Sequence, residues 1–515
     1  MPAVQTLAVF VSERWATVLI SVLVLASAVF LPKVADFLRI SRIPLIAVDL
    51  GNSEKRRQAY LTGARKLYNE GYRKFKDGVF RITTSRKDEI IVLSPKFLPE
   101  LKKLPDTIVS MSAAVDDAME VKYTKIDTTV PIVPHAVKAD LTPSLSRLNP
   151  TIAKEVQEAL DLEMPPADNW TEIDIHHMLL RVVAMVSGRV FIGPELCRNE
   201  QYLESSINYT MDVMAAQRAV QQMKPWLRPF FASSLPQVKR LDQRIKEAEA
   251  FLFPVIDQRM KAAKEPGYEK PDDLITWLLE RRPNFPDEKS QNLAKVQLGV
   301  SFAAIHTTTL TATNAFYDIA ALPDFVRELR AETQAALAEN DGVFTSNALQ
   351  SMKKMDSFLK EVLRLHPATM ASFQRKVLQP FTLSNGQFIP AGVTIEVPAV
   401  AVNSDDEIFE DALKFDPLRF YRLRQSAKEA GSVEGAALNQ FVSVSQNSLT
   451  FGYGRHACPG RFFAANEIKM ILANALQKYE FKNTDGSTER YPNIEFAHMS
   501  IPDMKRKLLY RNVRS

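Results

Sequence analysis

Two cysteines occur in the 515-residue chain, and one of them sits where a thiol could do chemistry. Cys458 lies in the run Phe451-Gly452-Tyr453-Gly454-Arg455-His456-Ala457-Cys458-Pro459-Gly460. The segment that follows, 461–478, places Phe462, Ala465, Ile468, Ile471, Leu472 and Leu476 at helical spacing,. Cys458 is therefore expected at a helix N-terminus, where the macrodipole favours thiolate. Gly452, Gly454 and Gly460 let the backbone turn tightly and approach a flat ligand closely. A thiolate is one of the few axial ligands that hold haem iron. The plainer reading is a structural thiol in a turn, which is the reading for Cys197.

Two further stretches carry side chains that local stability does not call for. Phe302-Ala303-Ala304-Ile305-His306-Thr307-Thr308-Thr309 falls inside a long helical segment, 287–321. Consecutive threonines are poor helix formers, and their hydroxyls can bond backbone carbonyls and bend the helix, so a local purpose is expected there. Glu361 and Arg364 lie three apart on a helix predicted over 356–366 and share a face,. In isolation that spacing reads as a surface ion pair.

The elements that must position these residues are mostly helices. The spacing predicts helices over 53–75, 140–148, 153–162, 170–191, 201–222, 241–262 and 272–280, besides those already named. Strands are expected at 79–83, 89–93, 375–378, 381–383, 387–389 and 394–397, with Asn385-Gly386 as a hairpin turn, and near 494–500 and 507–510. Residues 104–135 show no clear period and are expected to form a long loop; 426–447 reads as polar and irregular. Met211 and Met214, Trp226 in Pro225-Trp226-Leu227-Arg228-Pro229-Phe230-Phe231, and the 104–135 region are expected to shape the entry of an apolar ligand.

The composition is that of a folded globular protein, 46% hydrophobic and 24% charged, with a formal net charge of +5,. Neither that charge nor any zinc-ligand or basic-aromatic spacing supports nucleic-acid binding. Two cysteines exclude a disulfide framework and fit a reducing compartment,. The N-terminus divides into 1–14, read as luminal, a transmembrane anchor at 15–32, and a linker at 33–52 ahead of a catalytic domain at 53–515. Lys33, Arg39 and Arg42 after the span put that domain in the cytosol by the positive-inside rule. The glycosylation patterns at Asn169 and Asn208 are then expected to stay unmodified.

Order and spacing carry more than any single motif. Glu-x-x-Arg on a helix, then Arg419 in Phe415-Asp416-Pro417-Leu418-Arg419-Phe420, then the cysteine loop, resembles the signatures of the cytochrome P-450 superfamily over essentially the whole chain after the anchor. The resemblance implies a mainly α fold with small β regions (α+β), here preceded by one transmembrane helix. It implies haem b with iron on Cys458, Phe451 in the haem loop, and propionate contacts from His456 and Arg375. Lys138 is a further candidate, because the usual Trp-x-x-x-Arg is absent. Glu361, Arg364 and Arg419 would form a buried network. The oxygen-side helix of the family usually reads (Ala/Gly)-Gly-x-(Asp/Glu)-Thr-(Thr/Ser); here Ala304 replaces the glycine and His306 the acid, while Thr307 keeps the threonine. Thr307 is then the expected proton donor on the oxygen side, with His306 assisting or only shaping the helix.

The same resemblance implies a monooxygenase that uses O2 and NADPH-derived electrons from cytochrome P-450 reductase, with cytochrome b5 as a second donor, at the endoplasmic reticulum membrane. The blocks around Thr307 and Cys458 look like fungal microsomal enzymes of secondary metabolism, of ent-kaurene-oxidase-like and indole-diterpene type, which implies a bulky apolar terpenoid or alkaloid substrate. Two alternatives remain on the sequence alone: a haem-thiolate isomerase or dehydratase that uses no O2, and a non-enzymatic haem carrier. Thr307 speaks against both, since neither needs it.

Overall fold

The structure is a computed structural model that describes residues 15–513. Helices dominate, and four small sheets are set among them. In chain order they are α1 (Trp15–Ser41), α2 (Ser53–Lys74), β1 (Val79–Thr83), β2 (Glu89–Leu93), β3 (Val109–Ser110) and α3 (Met111–Met119). There follow α4 (Thr142–Glu163), β4 (Thr171–Ile173), α5 (Ile175–Phe191), α6 (Glu200–Gln222), α7 (Pro236–Ala262), α8 (Leu274–Arg281) and α9 (Leu293–Ala321). Next come α10 (Pro323–Ala338), α11 (Lys353–Leu365), β5 (Ser372–Val377), β6 (Phe381–Thr382), β7 (Phe388–Ile389), β8 (Thr394–Val397), α12 (Arg419–Glu429) and α13 (Val433–Leu438). The chain ends with α14 (Arg461–Lys478), β9 (Tyr479–Asn483), β10 (Asn493–Phe496), β11 (Met499–Pro502) and β12 (Leu508–Asn512).

The main core lies where α4, α5, α9 and α14 meet. Helix α9 is buried along most of its length, from Leu293 to Ala320, so it is apolar nearly all round rather than striped,. Asn292 caps it by accepting from the Lys295 amide, 3.1 Å away,. The largest sheet, in the order β1-β2-β8-β5-β3, builds a second core. In it β2 and β8 run parallel and the other pairs antiparallel, and β5 shifts register between Ser372 and Arg375.

Several expectations are corrected. Residues 104–135 are not a structureless loop: β3 and α3 lie within them, Ser110 capping α3 through the Ala113 amide. The segments 140–148 and 153–162 are one helix, α4, which runs through Pro150. Residues 170–191 divide into β4 and α5, because Asp174 caps a fresh helix start through the His177 amide at 2.9 Å. The segment 287–321 breaks at Asn292 into a single turn and α9. The stretch 426–447, expected to be irregular, contains the end of α12 and all of α13.

The anchor is corrected as well. The apolar stretch 15–32 does not end at Pro32; one helix, α1, continues to Ser41 and takes in half of the expected linker, including the Asp36–Arg39 pair at 3.5 Å. Among the described residues no helix is long and apolar enough to cross a membrane. Residues 1–14, read as luminal, lie outside the described residues.

Candidate functional site

The cysteine loop hangs between the two cores. Phe451 packs on the helical core, its ring 5.6 Å from Phe441 at 70°. Leu449 and Tyr453, on either side of it, belong to the sheet core with Phe373 and Val377. The Cys458 amide donates to the Phe451 carbonyl at 2.8 Å, which closes the loop across its base. Gly452 has φ +78°, and a Cβ there would lie 3.3 Å from the His456 carbonyl, so this turn requires glycine,. Cys458 is half-buried, just before α14. Burial pushes its thiol up; the Gly460 and Arg461 amides and the Arg461 charge pull it down. The helix end therefore helps the thiolate without outweighing burial, and a metal ion on sulfur would complete the deprotonation.

Behind the loop, Glu361, Arg364 and Arg419 form one buried cluster, with Glu361 fully buried. Arg364 grips Glu361 with two bonds, 2.8 and 2.7 Å, and Arg419 Nε donates to Glu361 Oε1 at 3.2 Å. The guanidiniums also serve the backbone. Arg364 Nη1 donates to the carbonyls of Asn403 and Ala412 at 2.5 and 2.6 Å, and Arg419 donates to those of Glu410, Asp411 and Lys414. The surface-pair reading of Glu361 and Arg364 does not hold. This pair organises the segment 403–419 that precedes the cysteine loop.

A second buried network escaped the sequence reading. Asp356 on α11 accepts from Lys469 of α14 at 2.6 Å, from Arg424 of α12 at 3.1 Å and from the Phe441 amide at 2.9 Å. Lys360, one turn further along α11, donates to the carbonyls of Leu438 and Gln440 at 3.2 and 2.7 Å. Arg461 then donates to the Val442 and Cys458 carbonyls at 3.1 and 2.8 Å. The segment expected to be irregular is thus pinned to α11, α12 and α14 on its way to Cys458.

Glu467 lies on α14 and is fully buried; one carboxyl oxygen accepts from Ser187 at 3.0 Å and the other has no partner. Burial pushes it up to about 8, so it is neutral at pH 7. The folded chain then holds a proton that the unfolded chain loses near pH 4.5. Stability from this group is full below that pH and declines as pH rises toward 8, by about 1.4 kcal/mol per unit. Glu467→Gln is expected to remove that slope. Denaturant unfolding at pH 5.5 and 7.5 should show a wild-type loss larger than the variant's by about 2–3 kcal/mol.

On α9, Thr307 and Ala303 are exposed although Ile305, Thr308, Thr309 and Ala312 around them are buried. They are four apart, so one stripe of a core helix faces open space. Thr307 Oγ1 donates to the Ala303 carbonyl at 2.7 Å, which leaves its lone pairs free. Ala304, beside the stripe, packs on the same core as Phe451. His306 points elsewhere: its Nε2 is 2.9 Å from the Ile207 carbonyl on α6.

Arg375, on β5, is 5% exposed and donates to the Gln374 carbonyl at 2.7 Å, above the Phe373 ring. Burial pulls the guanidinium down to about 10. Its nearest influential carboxylate, Asp106, pairs instead with His456 at 3.0 Å and Arg455 at 3.3 Å. Lys138 is exposed on a single π-helical turn, Val137–Leu141, and the structure does not bring it to the cysteine loop through any bond. Met211 and Trp226, expected at the substrate entry, are 58% and 67% exposed. The buried face of α6 is formed instead by Tyr202, Ser206, Tyr209, Val213, Ala216 and Val220. A cavity of about 670 Å³ beside Met260, Leu279 and Arg282 shares no residue with the site.

These residues fit haem. A half-buried cysteine sulfur at the start of α14 would take the iron, and a buried cation without a carboxylate partner suits a propionate,. The exposed stripe at Ala303 and Thr307 leaves room for a ligand beside α9. Fold and site together define a haem-thiolate protein. The family model described as Cytochrome P450 matches residues 135–509, and the chain belongs to that family. It is 43% identical to cytochrome P450 monooxygenase ATR3 of Stachybotrys chlorohalonatus over 82% of this chain and 89% of that one. It is 35% identical to cytochrome P450 monooxygenase braC of Annulohypoxylon truncatum, over 92% and 93% of the two chains. A solved structure titled retinoic acid bound cyanobacterial CYP120A1 shares the fold at TM-score 0.67 and 17% identity, over 92% of this chain and 99% of that one. The protein is accordingly an oxidoreductase of the haem-monooxygenase kind, which uses O2 and reductase-supplied electrons on an apolar substrate.

Proposed function

We propose that this monooxygenase hydroxylates or oxidises a bulky apolar secondary metabolite of terpenoid type, a diterpene, indole-diterpene or meroterpenoid, in a fungal pathway. The observation that carries the apolar part is helix α9: between Lys295 and Asp318 it holds no Asp, Glu, Lys or Arg, and its open stripe offers only methyls and the Thr307 hydroxyl. Fungal relatives support the setting. Haem, when bound, supplies the oxidative chemistry. The chain's own part is to hold it through Cys458, to neutralise its carboxylates through Arg375 with His456, to exclude water with the apolar walls of α9, and to deliver protons through Thr307. The test is expression with NADPH-cytochrome P-450 reductase, with and without cytochrome b5, against a panel of terpenoids read by mass spectrometry. NADPH-dependent oxygenated products from terpenoids are expected; turnover confined to other apolar classes would overturn the substrate assignment.

Thr307 is proposed as the proton-delivering hydroxyl. Its Oγ1 can accept from water on its free lone pairs, and it donates to a ligand on the open stripe once its hydrogen swings away from the Ala303 carbonyl,. In Thr307→Ala, product per NADPH is expected to fall roughly tenfold or more, with hydrogen peroxide rising as product falls. Full coupling in that variant would refute the role.

The proposed location is the cytosolic face of the endoplasmic reticulum. Exposed Leu19, Ile20, Leu23 and Leu25 on α1 and exposed Trp226, Phe230 and Phe231 between α6 and α7 support contact with a membrane,. Asn169 is exposed just before β4, an accessible acceptor if the domain were luminal. It is expected to carry no glycan in the native host; a glycan found there by peptide mapping would overturn the placement.

A further inference from the structure

We infer that His306 is a positioning residue that latches helix α6 down beside the open stripe of α9 and so sets the size of ligand the site admits. The inference rests on the site reading given above. His306 Nε2 lies 2.9 Å from the Ile207 carbonyl, and since a carbonyl only accepts, the ring must donate,. Ile207 is inside α6, where its carbonyl already takes the helical bond from four residues on, so His306 uses the second lone pair,. Burial lowers the ring's proton affinity, which keeps it neutral with one nitrogen to donate.

Among the described residues this is the only hydrogen bond of good geometry between α6 and α9. The rest of that interface is apolar packing, with Tyr209 and Val213 of α6 in one buried cluster with Leu298 of α9. One turn before His306, Phe302 meets Tyr209 edge-on, with ring centroids 6.3 Å apart. Further back, a water-sized cavity of about 10 Å³ lies between α6, α7 and α9. Tyr202 OH, Ser205 Oγ, Ser301 Oγ and both polar atoms of Gln297 line it without a protein partner. Such a cavity, with several unpartnered polar groups, suits an ordered water. Apolar contacts are non-directional and unpaired polar groups add no fixed distance, so the one direct bond sets how α6 sits against α9,. His306 is about 100° round α9 from Thr307, so it holds the helix that flanks the stripe and does not enter the stripe itself.

A ligand too large for the resting position must open this latch, and a small one need not. The test uses the full haem-loaded chain and two azole probes read by optical titration: 4-phenylimidazole and a triarylmethyl imidazole. In His306→Ala the bulky azole is expected to bind about five- to tenfold tighter while the small one is unchanged, the worth of one buried hydrogen bond. His306→Gln, which can still donate to the Ile207 carbonyl, is expected to restore the wild-type ratio. Hydrogen exchange at the amides of 205–211 should rise several-fold in His306→Ala and return in His306→Gln. Equal shifts for both probes, weaker binding of the bulky one, or unchanged exchange would overturn the latch. Absence of a thiolate-type carbon monoxide band in the wild type would sink the haem reading instead, and the exchange measurement would still decide the latch.

Discussion

Cys458→Ala is expected to fold and to lose both the thiolate-type carbon monoxide band and all monooxygenase turnover. The loop's geometry does not depend on the sulfur. The Cys458 amide bonds the Phe451 carbonyl at 2.8 Å, Gly452 makes the turn, and Phe451 and Leu449 anchor the two ends in separate cores. Those features survive truncation to Ala, so the change removes the ligand and little else. Loss of an outer-shell partner already costs a metal site about ten- to a hundredfold in affinity, and loss of the axial ligand should exceed that. Bound haem per chain and the reduced carbon monoxide spectrum are the measurements, with far-ultraviolet circular dichroism as the control for folding. A variant that keeps the thiolate-type band would show that another group holds the iron. Cys197 is the other cysteine; it is buried, and burial pushes its thiol up to about 11, which makes it a poor substitute,.

Much of this site was legible because its residues are local. The strands at 79–83 and 89–93 and the helix at 461–478 match the structure end to end, since each combines an unbroken period with a clear boundary. The cysteine loop is a single run of ten residues, and Glu361 with Arg364 lies on one helical turn. What escaped the sequence is what depends on distant partners. Asp356 and Lys469 are 113 positions apart and meet only once α11 packs near α14. Helix α12 buries only Arg419 and Phe420, so it has no apolar stripe to betray it,. It forms because Arg419 and Arg424 are held from outside. Helix α3, nine residues long, depends on the Ser110 cap and on packing beside β5. His306 stood out as an unusual residue, yet its partner is a backbone carbonyl, and one carbonyl looks like any other in a sequence.

The cluster around Glu361 should give the largest loss of stability. Glu361→Gln keeps the shape and removes the charge, leaving the Arg364 and Arg419 guanidiniums buried at 3% and 7% exposure without their anion. Breaking a buried ion pair from one side costs about 3–5 kcal/mol, because the remaining charge is uncompensated. Here two cations share one carboxylate, so the upper part of that range is expected. Against a total stability of about 5–15 kcal/mol for a folded domain, such a loss leaves little margin. The consequence reaches the haem. The same guanidiniums bond the carbonyls of Asn403, Glu410, Asp411, Ala412 and Lys414, so slackening them frees the segment that leads toward Cys458. Glu361→Gln should therefore lower the unfolding midpoint in denaturant and the fraction of chains carrying haem together. Arg364→Lys discriminates charge from geometry: it keeps the cation but cannot make two parallel bonds to Glu361 while reaching two carbonyls, so it should lose haem as well. If Glu361→Gln unfolded at the wild-type midpoint with full haem content, the cluster would not hold this part of the fold.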